Sequence, residues 1–191
     1  GGIAGYANGL ISNSNSNSNV SSLVGGVYIG GLVGEGTAAI SNSFSEGNVS
    51  SLGGSYVGGL VGSTSGNVSN SFSTGDVSGT DNVGGIVGFG WGIDVTNSHA
   101  SGDVTGSSGV GGLIGQIFGD VTNSYATGDV SGSSAYLGGL IGFLDGNVSG
   151  SHSQNSLTSI GDFVGGLVGQ ADGNVSNSYA RTTISSSTDF S

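Results

Sequence analysis

The chain contains no cysteine, no methionine and no proline, and its one positively charged side chain is Arg181. Without cysteine there is neither a disulfide scaffold nor a thiolate metal site. Twelve acidic residues against one basic residue give a net charge of −11, which disfavours nucleic acid and anionic membrane surfaces as partners, since binding to either rests on Lys and Arg. Long hydrophobic runs are also missing. Glycine and serine interrupt each apolar stretch within a few positions, so no membrane insertion is expected. No stretch carries a sustained helical periodicity. The chain begins at Gly1 without an initiator methionine, which reads as a processed product or an excerpt of a longer chain.

Glycine is abundant instead, at 43 of 191 residues. That proportion with only 7% charged residues resembles a low-complexity polymer, but the mean hydropathy of +0.15 and the register of the aliphatic residues argue for a folded chain. The segment Tyr56-Val57-Gly58-Gly59-Leu60-Val61-Gly62 recurs along the sequence. Its glycine doublet opens at Gly1, Gly30, Gly58, Gly84, Gly111, Gly138 and Gly165, at intervals of 29, 28, 26, 27, 27 and 27 residues. A fixed period of this size marks a stacked repeat architecture.

Within the unit from Val110, three segments bounded by Gly, Asn, Asp or Ser read as strands: Val110–Gly115, Val121–Ala126 and Val130–Ser131. The expected fold is all-β, a right-handed parallel β-solenoid of about seven coils of 27 residues, each with three short strands. Residues 1–191 form one array, with coils starting near 1, 30, 58, 84, 111, 138 and 165. Strand spacing then makes the rod about 34 Å long. Equivalent residues stack in columns. Ile3, Leu32, Leu60, Ile86, Leu113, Leu140 and Leu167 are expected inside, as are Val49, Val77, Val104 and Val130. Strict alternation along the second strand also turns inward Asn13, Asn42, Asn70, Asn97, Asn123 and Asn177, with Phe44, Phe72, His99, Tyr125, His152 and Tyr179. The Ser-Asn alternation from Ser12 to Asn19 keeps period two and reads as an eroded strand.

The tetrads Gly31-Leu32-Val33-Gly34, Gly59-Leu60-Val61-Gly62, Gly112-Leu113-Ile114-Gly115, Gly139-Leu140-Ile141-Gly142 and Gly166-Leu167-Val168-Gly169 resemble the GLUG repeat. Gly85-Ile86-Val87-Gly88 is a near match and Gly2-Ile3-Ala4-Gly5 a degenerate one; Asn123-Ser124-Tyr125-Ala126 is similar to the companion segment. The resemblance implies a repeat region of large microbial surface or secreted proteins, adhesin-like ones among them. It supplies no catalytic residues.

Several columns are candidates for chemistry. Asp76, Asp103 and Asp129 share one turn position and would stack about 4.8 Å apart, an edge at which calcium is the one cofactor to consider. His99 and His152 lie two coils apart and read as substitutes for stacked aromatic rings. Asn19, Asn48, Asn67, Asn147 and Asn174 each open Asn-Val-Ser, the N-glycosylation pattern, which the turn-then-strand grammar also produces unaided. Two columns are expected to face outward: Ser41, Ser69, Thr96, Thr122, Ser149 and Ser176, beside Ser43, Ser71, Ser98, Ser124, Ser151 and Ser178. They are regular enough to raise ice binding, though threonine is sparse. Finally, Leu60 and Val61 are adjacent, and alternation cannot bury both. Either a glycine bulge buries both columns, or Val33, Val61, Val87, Ile114, Ile141 and Val168 form an outward apolar stripe for lateral association, the reading favoured here.

From Gly165 to Ser191 is one whole repeat, and Asp189-Phe190-Ser191 running into Gly1-Gly2-Ile3 would continue it, so head-to-tail self-association is the other expected contact. Function at this stage is a non-catalytic extracellular or cell-surface shaft or filament subunit, with other cells or surface glycans as partners. The alternative is a ligand-binding face for ice, glycan or calcium.

Overall fold

The computed structural model describes residues 1–186; Asp189–Ser191, and with them the end-to-start junction, lie outside the described residues. The chain is a parallel β-solenoid of seven coils. Six of the coils carry five short strands and the first carries four, more than the three read from the sequence. In the coil around Gly84 they are Asp81–Gly84, Val87–Trp91, Val95–Thr96, His99–Ala100 and Val104–Gly106. Each strand pairs in parallel with its counterpart one coil away. The stacks form five sheets: sheet I through Val87–Trp91, II through Val95–Thr96, III through His99–Ala100, IV through Val104–Gly106 and V through Asp81–Gly84. Sheets I to IV have seven strands and sheet V has six.

Two bends account for the extra strands. The first lies at the glycine doublet. The N–H groups of both Leu60 and Val61 donate to the Ile86 carbonyl, at 3.0 and 2.9 Å, and the same bifurcation recurs at Leu113 and Leu140. Two residues facing one carbonyl is a bulge, and it turns consecutive side chains to the same side. The bulge therefore corrects the expected stripe. Val33, Val61, Val87, Ile114 and Ile141 are buried and Val168 half-buried, so this column is not an outward stripe for lateral association. Backbone crowding reserves the doublet for glycine: a Cβ on Gly58 would collide with the Val61 carbonyl, and one on Gly59 with the Gly85 carbonyl.

The second bend is the asparagine corner. Asn42, Asn70, Asn97 and Asn123 adopt left-handed backbone with φ of 48–50°, and Gly150 holds the same slot at 59°. Asparagine and glycine are the residues that tolerate this conformation. One left-handed residue shifts the parity of the strand that follows. Asn123 is therefore exposed, Ser124 and Ala126 are buried, and Tyr125 lies on the outer face. The inward asparagine and aromatic columns expected from alternation are thus corrected, as is the outward Ser43, Ser71, Ser98, Ser124 and Ser151 column.

Burying that serine column is physically inexpensive because each hydroxyl is used twice. Ser71 Oγ donates to the Ser69 carbonyl at 2.8 Å and accepts the Ser43 N–H at 3.2 Å; Ser98, Ser124 and Ser151 repeat the pattern. The Ser-Asn stretch keeps this register, with Ile11–Ser12 and Asn15–Ser16 paired to Ile40–Ser41 and Phe44–Ser45.

The interior is divided in two. The larger lobe stacks the Leu and Val columns of sheet I with Ile40, Val68, Val95, Val121 and Val148 of sheet II. The smaller holds Val49, Val77, Val104 and Val130 of sheet IV, inside as expected, with Val57, Val83, Val110 and Leu137 of sheet V. Between the lobes the coil is pinched where the second doublet glycine meets a small residue. Gly59 faces Ser73, Gly85 faces Ala100 and Gly112 faces Ala126. The Leu column is buried from Leu32 to Leu140, while Ile3 in the first coil is 48% exposed.

Candidate functional site

Three sets of surface residues carry the chemistry available to this rod. The first is the turn between sheets III and IV. Asp76, Asp103 and Asp129 do stack there, but each carboxylate spends an oxygen on the next coil. Asp76 Oδ1 accepts the Asp103 N–H at 3.0 Å, Asp103 Oδ1 that of Asp129 at 2.9 Å, and Asp129 Oδ1 that of Ser156 at 2.8 Å. Asn48 Oδ1 does the same for Asp76 and Asn19 Oδ1 for Asn48, so an amide serves as well as a carboxylate. The charges run along an edge and do not converge. Among the described residues no group of three or more His, Asp or Glu is arranged to hold a metal ion. The turn between sheets I and II repeats the ladder through Asn67, Asp94, Asp120, Asn147 and Asn174. All five Asn-Val-Ser asparagines therefore sit on exposed turns, and four of them, Asn19, Asn48, Asn67 and Asn147, accept a backbone N–H of the next coil. In two of them the amide nitrogen is itself engaged: Asn147 Nδ2 donates to Asp120 Oδ1 and Asn174 Nδ2 to Asn147 Oδ1, both at 3.0 Å.

The second set is a ladder of rings on the outer face of sheet III. Phe44, Phe72, His99, Tyr125, His152 and Tyr179 stack with centroids 4.8–5.2 Å apart and planes within 10°. The two histidines replace Phe or Tyr in this stack, as the sequence suggested. Removal of water by the neighbouring rings pushes the His99 pKa below its usual 6.5, so the ring is neutral at physiological pH. Arg181 caps the end of the ladder, 5.4 Å above the Tyr179 ring.

The third set was not singled out from the sequence, although its register is visible there. Two residues before each doublet from Gly30 onward, in or just ahead of the strands of sheet V, stand Tyr28, Tyr56, Asn82, Gly109, Tyr136 and Phe163. Tyr28 stacks on Tyr56 at 5.5 Å and Tyr136 on Phe163 at 5.3 Å. Between the pairs the ladder lacks two rings, and a cleft of about 500 Å³ opens there. Ser55, Tyr56, Asp81, Asn82, Ser108, Gly109, Gln116, Tyr136 and Phe143 line it. Tyr56, Tyr136 and Phe163 hold left-handed backbone, with φ of 56°, 63° and 57°, in a slot that Asn82 and Gly109 fill without strain. Aromatic residues are rare in that conformation, which costs roughly 1–2 kcal/mol.

The geometry of the coil agrees with the comparison to known families. The model of the GLUG motif matches residues 53–78, 79–105, 106–131 and 164–185, just over half of the chain. The chain belongs to the GLUG-motif family. No curated protein and no solved structure matches it. In the inner coils of this GLUG protein the two glycines of the tetrad lie where a Cβ would strike backbone, and its Leu and apolar residue are the two that the bulge turns inward. The GLUG coils outside the matched segments, around Gly30 and Gly138, pair in the same register as those inside them.

Proposed function

We propose that this GLUG protein is a non-catalytic extracellular or cell-surface module, an adhesin shaft or a filament subunit, whose task is to extend and to stack. The observation that carries the reading is the state of the two end coils. Ile3 and Tyr6 at one end, and Val175, Tyr179 and Ile184 at the other, are 47–59% exposed, although their counterparts in inner coils are buried or half-buried. Open parallel edges with matching columns invite one further coil, whether from the same polypeptide or from a second copy. Such a contact is head-to-tail and does not close. The absence of a metal-holding cluster among the described residues, and the structural duties of the Asp ladders and both histidines, support a role without catalysis.

Electron microscopy of the purified chain across a dilution series, with sedimentation alongside, tests the proposal. Uniform filaments that persist on dilution are the outcome expected of a subunit, and discrete short rods that of a shaft segment. Hydrolytic or transfer activity carried by the chain would overturn both.

A further inference from the structure

The interrupted ladder on sheet V has the make-up of a sugar site. We propose that the cleft between Tyr56 and Tyr136 binds a neutral glycan. The argument starts from spacing. Tyr56 and Tyr136 are three coil steps apart, about 14 Å, with the positions of Asn82 and Gly109 between them. Two rings are missing from a ladder whose rungs advance by about 4.8 Å, which leaves room between the facing rings for a flat sugar ring to lie against either wall. The volume, about 500 Å³, is in the range of small-molecule sites.

Chemistry narrows the class. A pyranose presents an apolar C–H face and a rim of hydroxyl groups, and the cleft offers a partner for each. Tyr56, Tyr136 and Phe143 supply ring surface at its ends, with Phe89 tilted against Tyr56 at 5.2 Å and Phe143 edge-on to Tyr136 at 5.8 Å. Asp81, Asn82, Ser108 and Gln116 supply a carboxylate, two amides and a hydroxyl along its floor. Ser108 Oγ donates to the Ala135 carbonyl at 3.2 Å and so keeps an acceptor face for a sugar hydroxyl. Asp81 and the net charge of −11 set the field against acidic sugars and phosphates.

Strain is the independent observation. Sheet V accepts asparagine or glycine at this slot, as Asn82 and Gly109 show, yet it carries tyrosine on both sides of the gap, and Phe163 one rung beyond, at left-handed φ. Residues held in costly backbone cluster where a site needs them. The inference does not depend on whether the chain acts alone or in a filament.

Titration calorimetry and saturation-transfer NMR on the full chain, with cellobiose, N,N′-diacetylchitobiose, maltose and lactose as probes and a sulfated disaccharide as the acidic control, test it. At least one neutral probe should bind saturably in the millimolar range or tighter. Tyr136→Asn removes a wall and leaves a residue the slot already accepts, so it should melt within a few degrees of the parent and weaken binding about tenfold or more. Gly109→Tyr should refill the ladder and close the cleft. Phe44→Ser, on the separate ring ladder of sheet III, should leave binding unchanged. No saturable binding by any neutral probe, undiminished binding in a folded Tyr136→Asn, or equal binding of the sulfated control would overturn the proposal. Should Gly109→Tyr fail to fold, Tyr136→Asn decides alone.

Discussion

Two serines on either side of one phenylalanine show how differently the same side chain behaves. Ser71 and Ser73 are both 1% exposed. Ser71 Oγ joins two coils, taking the Ser43 N–H and giving to the Ser69 carbonyl. Ser73 Oγ makes no hydrogen bond, and the equivalent slot is alanine at Ala100 and Ala126. The two alanine substitutions should therefore move stability in opposite directions. Ser71→Ala strands a buried N–H and should cost about 1–3 kcal/mol, whereas Ser73→Ala removes an unsatisfied hydroxyl and should gain up to about 1 kcal/mol. Urea melts of the two variants check both signs. The period of the sequence located both serines, but not their partners. Alternation alone placed Ser71 outside, because nothing in a row of Asn-Ser pairs announces that the asparagine ends one strand and resets the next.

At the scale of the element, the corner asparagine is a backbone device. Its side chain is exposed, so its contribution to the strand pair comes from φ, not from contacts. Asn97→Gly should be close to neutral, since Gly150 already holds the slot in another coil. Asn97→Val should destabilise by about 1–2 kcal/mol or more, the cost of left-handed backbone raised further by a branched side chain. Thermal melts of the pair separate this cause from loss of a side-chain hydrogen bond, which would penalise both alike. The glycine doublet is a second backbone device. Its position was evident from the repeat, yet whether it bent the chain outward or folded two apolar columns inward was not. That choice is made by the Ile86 carbonyl taking two N–H groups from the neighbouring coil. The carbonyl belongs to a strand one repeat away, so the decision is not local.

The whole molecule is a stack in which each coil touches only its neighbours, and its stability should behave accordingly. Deleting one complete period, Gly84 to Val110, joins Val83 to Gly111 in the register that Gly84 held. The shortened chain should fold, lose about 4.8 Å of length and melt cooperatively. Deleting half that segment should destabilise the chain far more, because the coils that meet at the junction would then face each other out of register. Small-angle scattering and circular dichroism of the two deletions check this. Equal tolerance of both would mean that coil register is not what holds the rod together.

The architecture follows from the amino-acid sequence by itself because a repeat multiplies each weak local signal by seven. The period set the number of coils, the columns and the parallel stacking; the valine and leucine columns identified most of the core. Tertiary structure alone decided the facing of the serine, asparagine and aromatic columns, the burial of Val33 to Ile141, and the cleft between Tyr56 and Tyr136. Each depends on a conformation or a bond contributed by another coil: a left-handed corner stabilised by stacking, a carbonyl shared across a bulge, or a gap defined only by the rings above and below it. A one-dimensional pattern records which residues recur. It does not record which of two backbone states the neighbouring coil will select.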